Sequence, residues 1–416
     1  MSGARIITIG PATMDDDAGR FVARALQVEG VPVASRQIVD EDAEAVEAAL
    51  GAALGAPGLV VVLDPPGGSG GEIARRMLAR LSGSRLVLND RLRELLERDC
   101  ARRDQAMPRR LDRLALLPRG AELVCAADGA PGWTMETAGV VVVVLPHGSA
   151  SLPSLVDERL LPLARRRLGG ESSAVRTLYT TGLPPADVED RLGAWLGREG
   201  PVAVSTSIVE GDVWVRVLAR GASHDVALRL LTPVEKAVRE ALGDACFGRD
   251  TDTLEAVVGG LMIERGLRVS VAESCTGGLL GHRLTAVAGS SRYFERGIVA
   301  YSNRAKIELL GVPPALIDAH GAVSAEVASA MVDAMCRASG SPCSLAVTGN
   351  AGPDDTATAA AGTVFIACAG PWAPSSSAVR RLHFGGGRDA VKWRASQAAL
   401  DMLRRGLVRW PPSAPR

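Results

Sequence analysis

Three adjacent residues, Ser274, Cys275 and Thr276, carry side chains that could do chemistry, in the stretch VAESCTGGLL at residues 271–280. Ser274 and Cys275 are both possible nucleophiles, and the glycines Gly277 and Gly278 follow them. An apolar run before this stretch predicts a strand, and the residues after it predict a helix. At such a turn, free backbone N–H groups can stabilise the oxyanion that forms when a serine attacks a carbonyl carbon. A helix cap with a glycine turn is the more common explanation of this pattern taken alone.

Three further stretches place polar residues beside predicted strands. GSSRYFERGIVAYSNRAK puts Ser290 and Ser291 at a turn, Tyr301 at a strand end and Lys306 on the first turn of a helix. AVTGNAGPDD ends a strand at Thr348, and HFGGGRDAVKW places three glycines and Arg388 at another helix start. Ligands of α/β proteins bind where the strands of the sheet end. These stretches are therefore expected to meet at one edge of a sheet.

Lysine is not the default positive charge in this chain. Among 47 basic residues only Lys236, Lys306 and Lys392 are lysines, and all others are arginines. A lysine at a chosen position is thus more informative here than in most proteins.

The elements that must position these residues form an α/β pattern. Residues 1–160 alternate apolar runs such as GLVVVLD with helical patterns, which predicts an α/β domain with a mostly parallel sheet. A helix, ADVEDRLGAWLGREG, and an alternating strand, DVWVRVLARG, predict a smaller unit within 175–230. Helices and strands alternate again to the end, where DAVKWRASQAALDMLRRGLVRW predicts an amphipathic helix and the tail beyond it is expected to fray. We expect domains at 1–165, 166–245 and 246–410, with a linker near the sequence GGESS.

Composition narrows the class of protein. The formal net charge is +0 and aromatic residues make up 3%, which argues against a nucleic-acid or anionic-membrane surface. The longest apolar run, Val140 to Leu145, is too short to span a bilayer, and the first residues predict a strand and not a signal peptide. Seven cysteines without a CxxC pair predict neither a disulfide framework nor a zinc site. We expect a reduced, cytoplasmic protein.

Several motifs in fixed order resemble the C-terminal domain of the CinA family, the competence/damage-inducible proteins. These are VAESCTGGLL, AGSSRYFERGIVAYSNRAKIELLGV, HGAVSAEVASAM and VTGNAGPD, and the resemblance covers roughly residues 250–405. Members of that domain family are nicotinamide-nucleotide amidohydrolases, which convert nicotinamide mononucleotide (NMN) to nicotinate mononucleotide and ammonia. The resemblance implies a multidomain α/β chain. An N-terminal three-layer molybdopterin-binding-like domain, a small α+β middle domain and a C-terminal three-layer CinA domain would follow one another.

The resemblance also implies the roles of individual residues. Ser274 would be the nucleophile and Lys306 the general base of an acyl-enzyme mechanism, with Tyr301 and Ser291 in the supporting hydrogen-bond network. A lysine suits this role because burial can make it neutral, whereas arginine stays protonated in proteins. The residues expected to bind substrate are Thr276, Gly277, Gly278, Thr348 and Arg388. No metal and no cofactor are expected, and a homodimer is implied.

Cys275 is the rival nucleophile. A catalytic cysteine would need a histidine partner, and His282, His320 and His383 are available in the same domain. None of them lies in a recognisable Cys/His signature. A cysteine directly after a reactive serine more often packs inward as a small apolar residue, and this is the expectation here.

The first domain has lost the functional motifs of the family it resembles. GPATMDDD stands where the family has an acidic Gly-Asp-Glu, and DPPGGSGGEI replaces a long glycine-rich loop with paired aspartates. Asp15, Asp16 and Asp17 are adjacent in sequence, so their side chains should diverge as a solvated acidic loop rather than converge on a metal. We therefore expect no ADP-ribose pyrophosphatase activity.

Two departures leave alternatives to NMN hydrolysis. Residues 354–362, DDTATAAAG, replace a glycine-rich family loop, and Asn350 stands where an aliphatic residue is usual. The chain could act on a different amide, or it could be a non-catalytic scaffold or regulator whose pocket has decayed. Retention of Ser274, Lys306 and Tyr301, beside the loss of the N-terminal motifs, favours an enzyme.

Overall fold

The computed structural model describes residues 3–65, 68–102, 111–126, 130–168, 172–373 and 377–410. Within the expected linker GGESS, residues 169–171 lie outside the described residues, as does the expected frayed tail at 411–416. The chain divides into two compact units. One comprises Met1–Arg176, Glu199–Val202 and Leu218–Val234, and the other Thr177–Arg198, Ala203–Val217 and Glu235–Arg416.

The first part of the chain is built from eight strands and short to medium helices. The strands are β1 (Ala4–Ile9), β2 (Val33–Val39), β3 (Gly58–Asp64), β4 (Leu86–Leu88), β5 (Leu116–Pro118), β6 (Glu122–Val124), β7 (Gly132–Thr137) and β8 (Val140–Pro146). The helices are α1 (Asp17–Val28), α2 (Ala43–Leu54), α3 (Gly68–Leu81), α4 (Asp90–Arg102), α5 (Leu111–Leu114), α6 (Leu152–Leu155) and α7 (Leu161–Arg167), with a π-helical turn at Val156–Leu160 between the last two.

A six-stranded sheet in the order β2-β1-β3-β8-β7-β6 forms the centre of this part. The first four strands are parallel, and β7 and β6 are antiparallel additions at one side. Alternate residues of β8 pack into two separate apolar clusters, Val140 and Val142 into one and Val141 and Val143 into the other. Because both faces are covered, the strand is a continuous apolar run. The prediction of a mostly parallel α/β sheet is confirmed.

The middle of the chain contains a four-stranded sheet. Its elements are β9 (Ser172–Thr180), α8 (Pro185–Leu192), β10 (Val202–Val209), β11 (Asp212–Gly221), α9 (His224–Leu242) and β12 (Cys246–Arg249). The strand order is β10-β11-β9-β12. The predicted helix and alternating strand correspond to α8 and β11, whereas β9, β10 and β12 are additional strands.

The last part of the chain holds five strands and six helices among the described residues. The strands are β13 (Val269–Glu273), β14 (Phe294–Val299), β15 (Cys343–Gly349), β16 (Thr363–Ala369) and β17 (Ala378–His383). The helices are α10 (Leu254–Glu264), α11 (Leu279–Thr285), α12 (Asn303–Leu310), α13 (Pro314–His320), α14 (Ala325–Ser339) and α15 (Arg388–Arg409). The strands predicted before Ser274, before Tyr301 and up to Thr348 correspond to β13, β14 and β15, and the predicted C-terminal helix corresponds to α15. The edge strand β17, with four exposed positions among its six residues, is an addition.

The direction of these strands decides which loops can meet. The sheet order is β14-β13-β15-β16-β17; β13, β14 and β15 are parallel, and β16 is antiparallel to both of its neighbours. The carboxyl ends of β13, β14, β15 and β17 therefore lie at one edge of the sheet. This edge is called the site edge below.

Helices cover both faces of this sheet. Side chains of α10, α11 and α15 form one apolar cluster with residues such as Val271 and Val347. On the other face, α14 contributes Val327 and Met331 to a cluster with Ala272. The result is the expected three-layer α/β arrangement. No helix in the described parts of the chain is both long enough and apolar enough to cross a bilayer.

Candidate active site

Ser274 and Lys306 meet at the site edge. Ser274 directly follows β13, and Lys306 lies on α12, which follows the neighbouring parallel strand β14. The Nζ atom of Lys306 lies 2.9 Å from the Oγ atom of Ser274. Lys306 is only 2% exposed and Ser274 only 5%. The crossover from β13 to β14 thus joins a hydroxyl and an amine that are 32 residues apart in sequence.

The environment of Lys306 favours its neutral form. Burial lowers the pKa of the Lys306 amine below its ordinary value of 10.5, and the neighbouring Cys275 acts weakly in the opposite direction. The amine also lies 3.5 Å from the carbonyl oxygen of Tyr301, which fixes its direction. Ser302 caps α12 by accepting the N–H of Ala305, so the helix that carries the lysine has a defined start. A buried amine of lowered pKa can take a proton from the serine hydroxyl.

Glu273 holds the turn after the serine, a role that sequence reasoning missed. Its carboxylate is 1% exposed and accepts the N–H groups of Gly278, Leu280 and Gly281 at 2.8–3.0 Å. These groups belong to the start of α11. Gly277 and Gly278 turn the chain with φ of 61° and 95°, in the left-handed region that favours glycine. The only sequence signal was a glutamate directly before the candidate serine, at the end of an apolar run.

The hydrogen bonds of this turn show which of its N–H groups are left to stabilise an oxyanion. The N–H of Ser274 donates to the Val347 carbonyl, that of Gly277 to the Ser274 carbonyl, and that of Gly278 to the Glu273 carboxylate, so these three are not free to stabilise an oxyanion. Among the described residues, no carbonyl or carboxylate accepts the N–H groups of Cys275 and Thr276. These two donors directly follow the serine. The Thr276 hydroxyl is also buried without a hydrogen-bond partner in the described structure.

Cys275 packs into the apolar core, as expected. The residue is 4% exposed and belongs to the cluster that α10, α11 and α15 form. Burial raises the pKa of its thiol to about 12. A methyl group placed on Gly349 would lie 3.0 Å from its sulfur, so the thiol has no open space on that side. The thiolate, which is the reactive form, is therefore negligible near neutral pH.

Tyr301 and Arg388 form the rim beside the serine. The Tyr301 carbonyl oxygen accepts from Ser274 and Lys306, while its half-exposed side chain reaches outward. The guanidinium of Arg388, at the first position of α15, donates to the phenol oxygen of Tyr301 and, at 3.0 Å, to the Gly352 carbonyl. Tyr301 therefore contributes its backbone to the buried pair and its side chain to the rim.

Thr348 and Asn350 stabilise the loops around the site. The buried Thr348 hydroxyl donates to the Ala322 carbonyl at 2.8 Å and so ties the end of β15 to the loop before α14. The Asn350 amide donates to the carbonyls of Asp354 and Ala359, and its oxygen accepts the N–H of Gly352. The unusual asparagine is thus an internal brace of the altered loop.

Ser291 is the predicted site residue that the structure does not bring to the others. It lies in a turn at Ser290–Arg292 before β14, and Phe294, the first residue of β14, pairs with Val269 at the start of β13. Ser291 is therefore exposed at the edge of the sheet opposite to Ser274. Four residues of strand separate these edges by about 13 Å. The proposed supporting role of Ser291 has no geometric basis within this chain.

Lys392 is a second residue at the site that sequence reasoning did not assign. A methyl group placed on Gly277 would lie 3.9 Å from its Nζ atom. Lys392 follows Arg388 by four residues on α15, so both side chains extend from the same face of the helix. The scarcity of lysine in the chain was the signal that could have found it.

The aspartates of the first domain do not converge. Asp16 is 7% exposed and caps α1, accepting the N–H of Gly19 and the hydroxyl of Thr8, while Asp15 and Asp17 are exposed. The expectation of a solvated loop is therefore wrong for Asp16, because the first turn of α1 needs an acceptor. In the described parts of the chain, no group of three or more His, Cys, Asp or Glu side chains could hold a metal ion.

Replacing Glu273 tests its role in positioning the serine. Glu273→Gln keeps the shape but turns one acceptor into a donor that faces backbone N–H groups, so we expect a loss of about 1–3 kcal/mol of unfolding free energy. Chemical denaturation measures this loss. Glu308→Gln is the control, because its exposed pair with Arg304 should contribute less than about 1 kcal/mol. Equal stability of Glu273→Gln and the unaltered chain would contradict the role.

Two family models match the chain. The model of the CinA C-terminal domain matches residues 251–407, and that of the damage-inducible protein CinA KH domain matches residues 175–248. A CinA-like protein from Geobacter sulfurreducens is 36% identical over 398 residues, which cover 95% of each chain. The chain belongs to the CinA family.

Another CinA relative also aligns over almost the whole chain. A CinA-like protein from Gloeobacter violaceus is 34% identical over 395 residues, covering 94% of this chain and 92% of that protein. Among solved structures, the competence/damage inducible protein CihA from Agrobacterium tumefaciens is 34% identical, with a TM-score of 0.35. It covers 37% of this chain and 96% of its own. The family assignment therefore rests on the full-length relatives.

Proposed function

We propose that this CinA chain hydrolyses the carboxamide of NMN to nicotinate mononucleotide and ammonia. The observation that carries the proposal is the buried pair of Ser274 and Lys306, whose Oγ and Nζ atoms lie 2.9 Å apart. Structural lysines usually keep the ammonium group in water, whereas Lys306 is 2% exposed and its pKa is lowered by burial. Such an amine supports catalysis by proton transfer.

The proposed reaction proceeds through an acyl-enzyme. Ser274 Oγ attacks the carboxamide carbon while its proton passes to the neutral amine of Lys306. The tetrahedral intermediate collapses, the C–N bond breaks, and Lys306 returns the proton to the departing ammonia. A water molecule then gives a proton to Lys306 and attacks the ester carbon, the bond between this carbon and Ser274 Oγ breaks, and Lys306 returns the proton to Ser274 Oγ as the nicotinate carboxyl group is released. Each step is an ordinary acyl transfer with one serine and one base.

The free N–H groups of Cys275 and Thr276 support oxyanion stabilisation. They are the donors of the turn that are not used by other described residues, and they directly follow the nucleophile. Loss of one such donor in hydrolases costs about 10²–10³ in kcat. Gly277 and Gly278 keep the turn in the conformation that presents these donors.

Three further predicted residues, Tyr301, Arg388 and Thr348, lie near the reactive pair or in the loops beside it. Tyr301 and Arg388 are joined by a hydrogen bond at the rim, where a heteroaromatic ring and its ribose could bind. The Thr348 hydroxyl donates a hydrogen bond to the Ala322 carbonyl, so it could contact the substrate only by van der Waals packing or as a hydrogen-bond acceptor. The hydrolysis of a different amide is the second candidate, because the loop braced by Asn350 differs from the family pattern and its Gly352 carbonyl contacts Arg388.

Ammonia release from the purified full-length chain tests the proposal. With NMN as substrate we expect stoichiometric ammonia and nicotinate mononucleotide, measured by a coupled assay and by chromatography. A panel of other carboxamides, nicotinamide among them, serves as the comparison. Turnover of another amide without NMN turnover would support the second candidate. No turnover of any amide would contradict an amidohydrolase and favour a scaffold.

A further inference from the structure

A cavity of about 360 Å³ lies beside α15, and this volume is in the range of small-molecule sites. Its walls come from the loop after β9, the turn between β10 and β11, strand β17 and helix α15, and all of them belong to the second compact unit. Two of its lining residues, Arg394 and Gln397, lie six and nine residues beyond Arg388, which is about 240° and about 180° around the helix. The cavity is therefore separate from the rim that Arg388 forms with Tyr301.

Two arginine side chains of this cavity have no carboxylate partner. Arg380 is exposed on β17, and Arg394 is half-buried on α15. Arg394 donates to the carbonyl oxygens of Glu210 and Gly385 at 3.2 and 3.0 Å. Neither guanidinium forms a salt bridge with the Glu210 side chain or with any other carboxylate of the described residues. Two uncompensated guanidinium groups are suited to the oxygens of a carboxylate or a phosphate.

The turn between β10 and β11 holds Arg394 in place. Gly211 has a φ of 94°, and a methyl group placed on it would lie 2.6 Å from the Nε atom of Arg394. Glycine therefore allows both the left-handed backbone and the close approach of the guanidinium. The Nε and Nη1 atoms of Arg394 donate to backbone carbonyls, whereas Nη2 has no acceptor among the described residues. Because the side chain is already oriented, it loses little conformational entropy when Nη2 binds a ligand.

The cavity also contains a carboxylate that can accept a hydrogen bond. Asp212, at the start of β11, accepts from the Nε2 atom of Gln397 at 2.8 Å and from the side chain of Thr181, and burial raises its pKa to about 6. A carboxylate has about four lone-pair sites, so Asp212 can accept a further N–H group. Asp401, the second buried acid of the cavity, is already paired with two arginines of its own helix. A ligand with an N–H donor therefore has Asp212 as its acceptor.

Apolar side chains complete the wall of the cavity. Leu183 comes from the loop after β9, and Leu382 and Phe384 come from the end of β17. Leu382 and Phe384 are two residues apart, so both side chains lie on the same side of the strand. The lining part of α15, from Arg394 to Asp401, is about 10 Å long. These walls provide room for a flat ring in addition to the groups that bind the charged part of a ligand.

We propose that this cavity binds a second small molecule, in which an anionic group is joined to a heteroaromatic ring with N–H donors, of the size of a nucleoside monophosphate. Arg380 and Arg394 bind the anionic group, Phe384 packs against the ring, and Asp212 accepts an N–H group of the ring. The site goes beyond the proposed hydrolysis, which uses none of these four residues.

Calorimetry with the full-length chain tests this site, with adenosine monophosphate (AMP) as the probe. AMP should bind, whereas adenosine, which lacks the anion, and inorganic phosphate, which lacks the ring, should each bind at least about 10-fold more weakly. Arg380→Met removes one guanidinium and should weaken the binding of AMP about 10- to 100-fold. Absence of AMP binding at millimolar concentration, or adenosine binding as tight as that of AMP, would overturn the proposal.

The neighbouring arginine of the same strand provides the matched control. Arg381 is as exposed as Arg380 in class, but it lies on the other side of β17, over the ring of Phe365. Arg381→Met should therefore leave the binding of AMP unchanged, and equal losses in the two variants would contradict the site. Thermal unfolding should give both variants a midpoint near that of the unaltered chain, because both side chains are exposed.

A third variant shows whether the probe binds at the rim instead. Arg388→Met changes the rim of the Ser274 site, on another face of α15, and should leave the binding of AMP unchanged. Loss of AMP binding in Arg388→Met, with binding intact in Arg380→Met, would assign the probe to the Ser274 site and overturn the proposal. None of these measurements depends on turnover of NMN, so failure of this inference and failure of the proposed hydrolysis are distinguishable.

Discussion

Ser274→Ala is expected to abolish release of ammonia from NMN, whereas Cys275→Ser should retain most of it. Alanine offers no atom that can form the acyl-enzyme. The Cys275 thiol is buried in the apolar core with a pKa of about 12, so its replacement should affect packing and not chemistry. Steady-state rates with NMN measure both variants.

Measurements of stability provide the control for these two variants. Cys275→Ser places a hydroxyl among apolar side chains, so we expect it to lower the unfolding free energy by about 1–3 kcal/mol while the rate per folded molecule persists. Ser274→Ala should unfold near the midpoint of the unaltered chain. Activity in Ser274→Ala together with its loss in Cys275→Ser would reverse the assignment of the nucleophile.

Lys306→Arg is expected to fall to the same residual rate as Lys306→Ala. Arginine keeps the positive charge and roughly the length of lysine, so a purely electrostatic role would survive the change in part. A general base would not survive, because a guanidinium stays protonated in proteins. Removal of a proton-transfer group costs about 10²–10⁴ in rate. Both variants are compared with the unaltered chain at saturating NMN.

The pH dependence of kcat/KM tests the general-base role of Lys306 independently. Burial lowers its pKa below 10.5, and the base must be neutral in the free enzyme. The value of kcat/KM should therefore rise with pH and level off at a pKa below that of a free lysine, and the rise should be absent in Lys306→Ala. Circular dichroism shows whether each variant is folded. Substantial turnover in Lys306→Arg would exclude the general base.

Strand order explains which site residues could be predicted. Ser274 and Tyr301 follow strands and Thr348 lies at the end of one. Because parallel strands end at the same edge, the meeting of these residues could be inferred from an alternation of apolar runs and helices. The predicted meeting of Ser291 with these residues failed because Ser291 precedes β14, and a turn that precedes a parallel strand lies at the opposite edge of the sheet. The order of helices and strands along the chain already shows which turns precede a strand and which follow one.

Other features depend on packing that no local pattern specifies. Lys392 lies beside Gly277 because α15 and α11 pack on the same face of the sheet, and nothing near residue 392 indicates this neighbour. Glu273 could have been an exposed carboxylate, and only its burial turns it into an acceptor for three N–H groups. Edge strand β17 was missed because its exposed arginines break the apolar run that marked the other strands.

The carboxylate of Glu273 has a consequence for how a substrate enters. Helix starts usually attract anions, but here a buried negative charge already occupies the start of α11. Among the described residues of the rim, attraction for an anion is then left to the side chains of Arg388 and Lys392 on α15. A substrate with an anionic group would therefore be attracted by these side-chain cations and not by the backbone N–H groups at the start of α11.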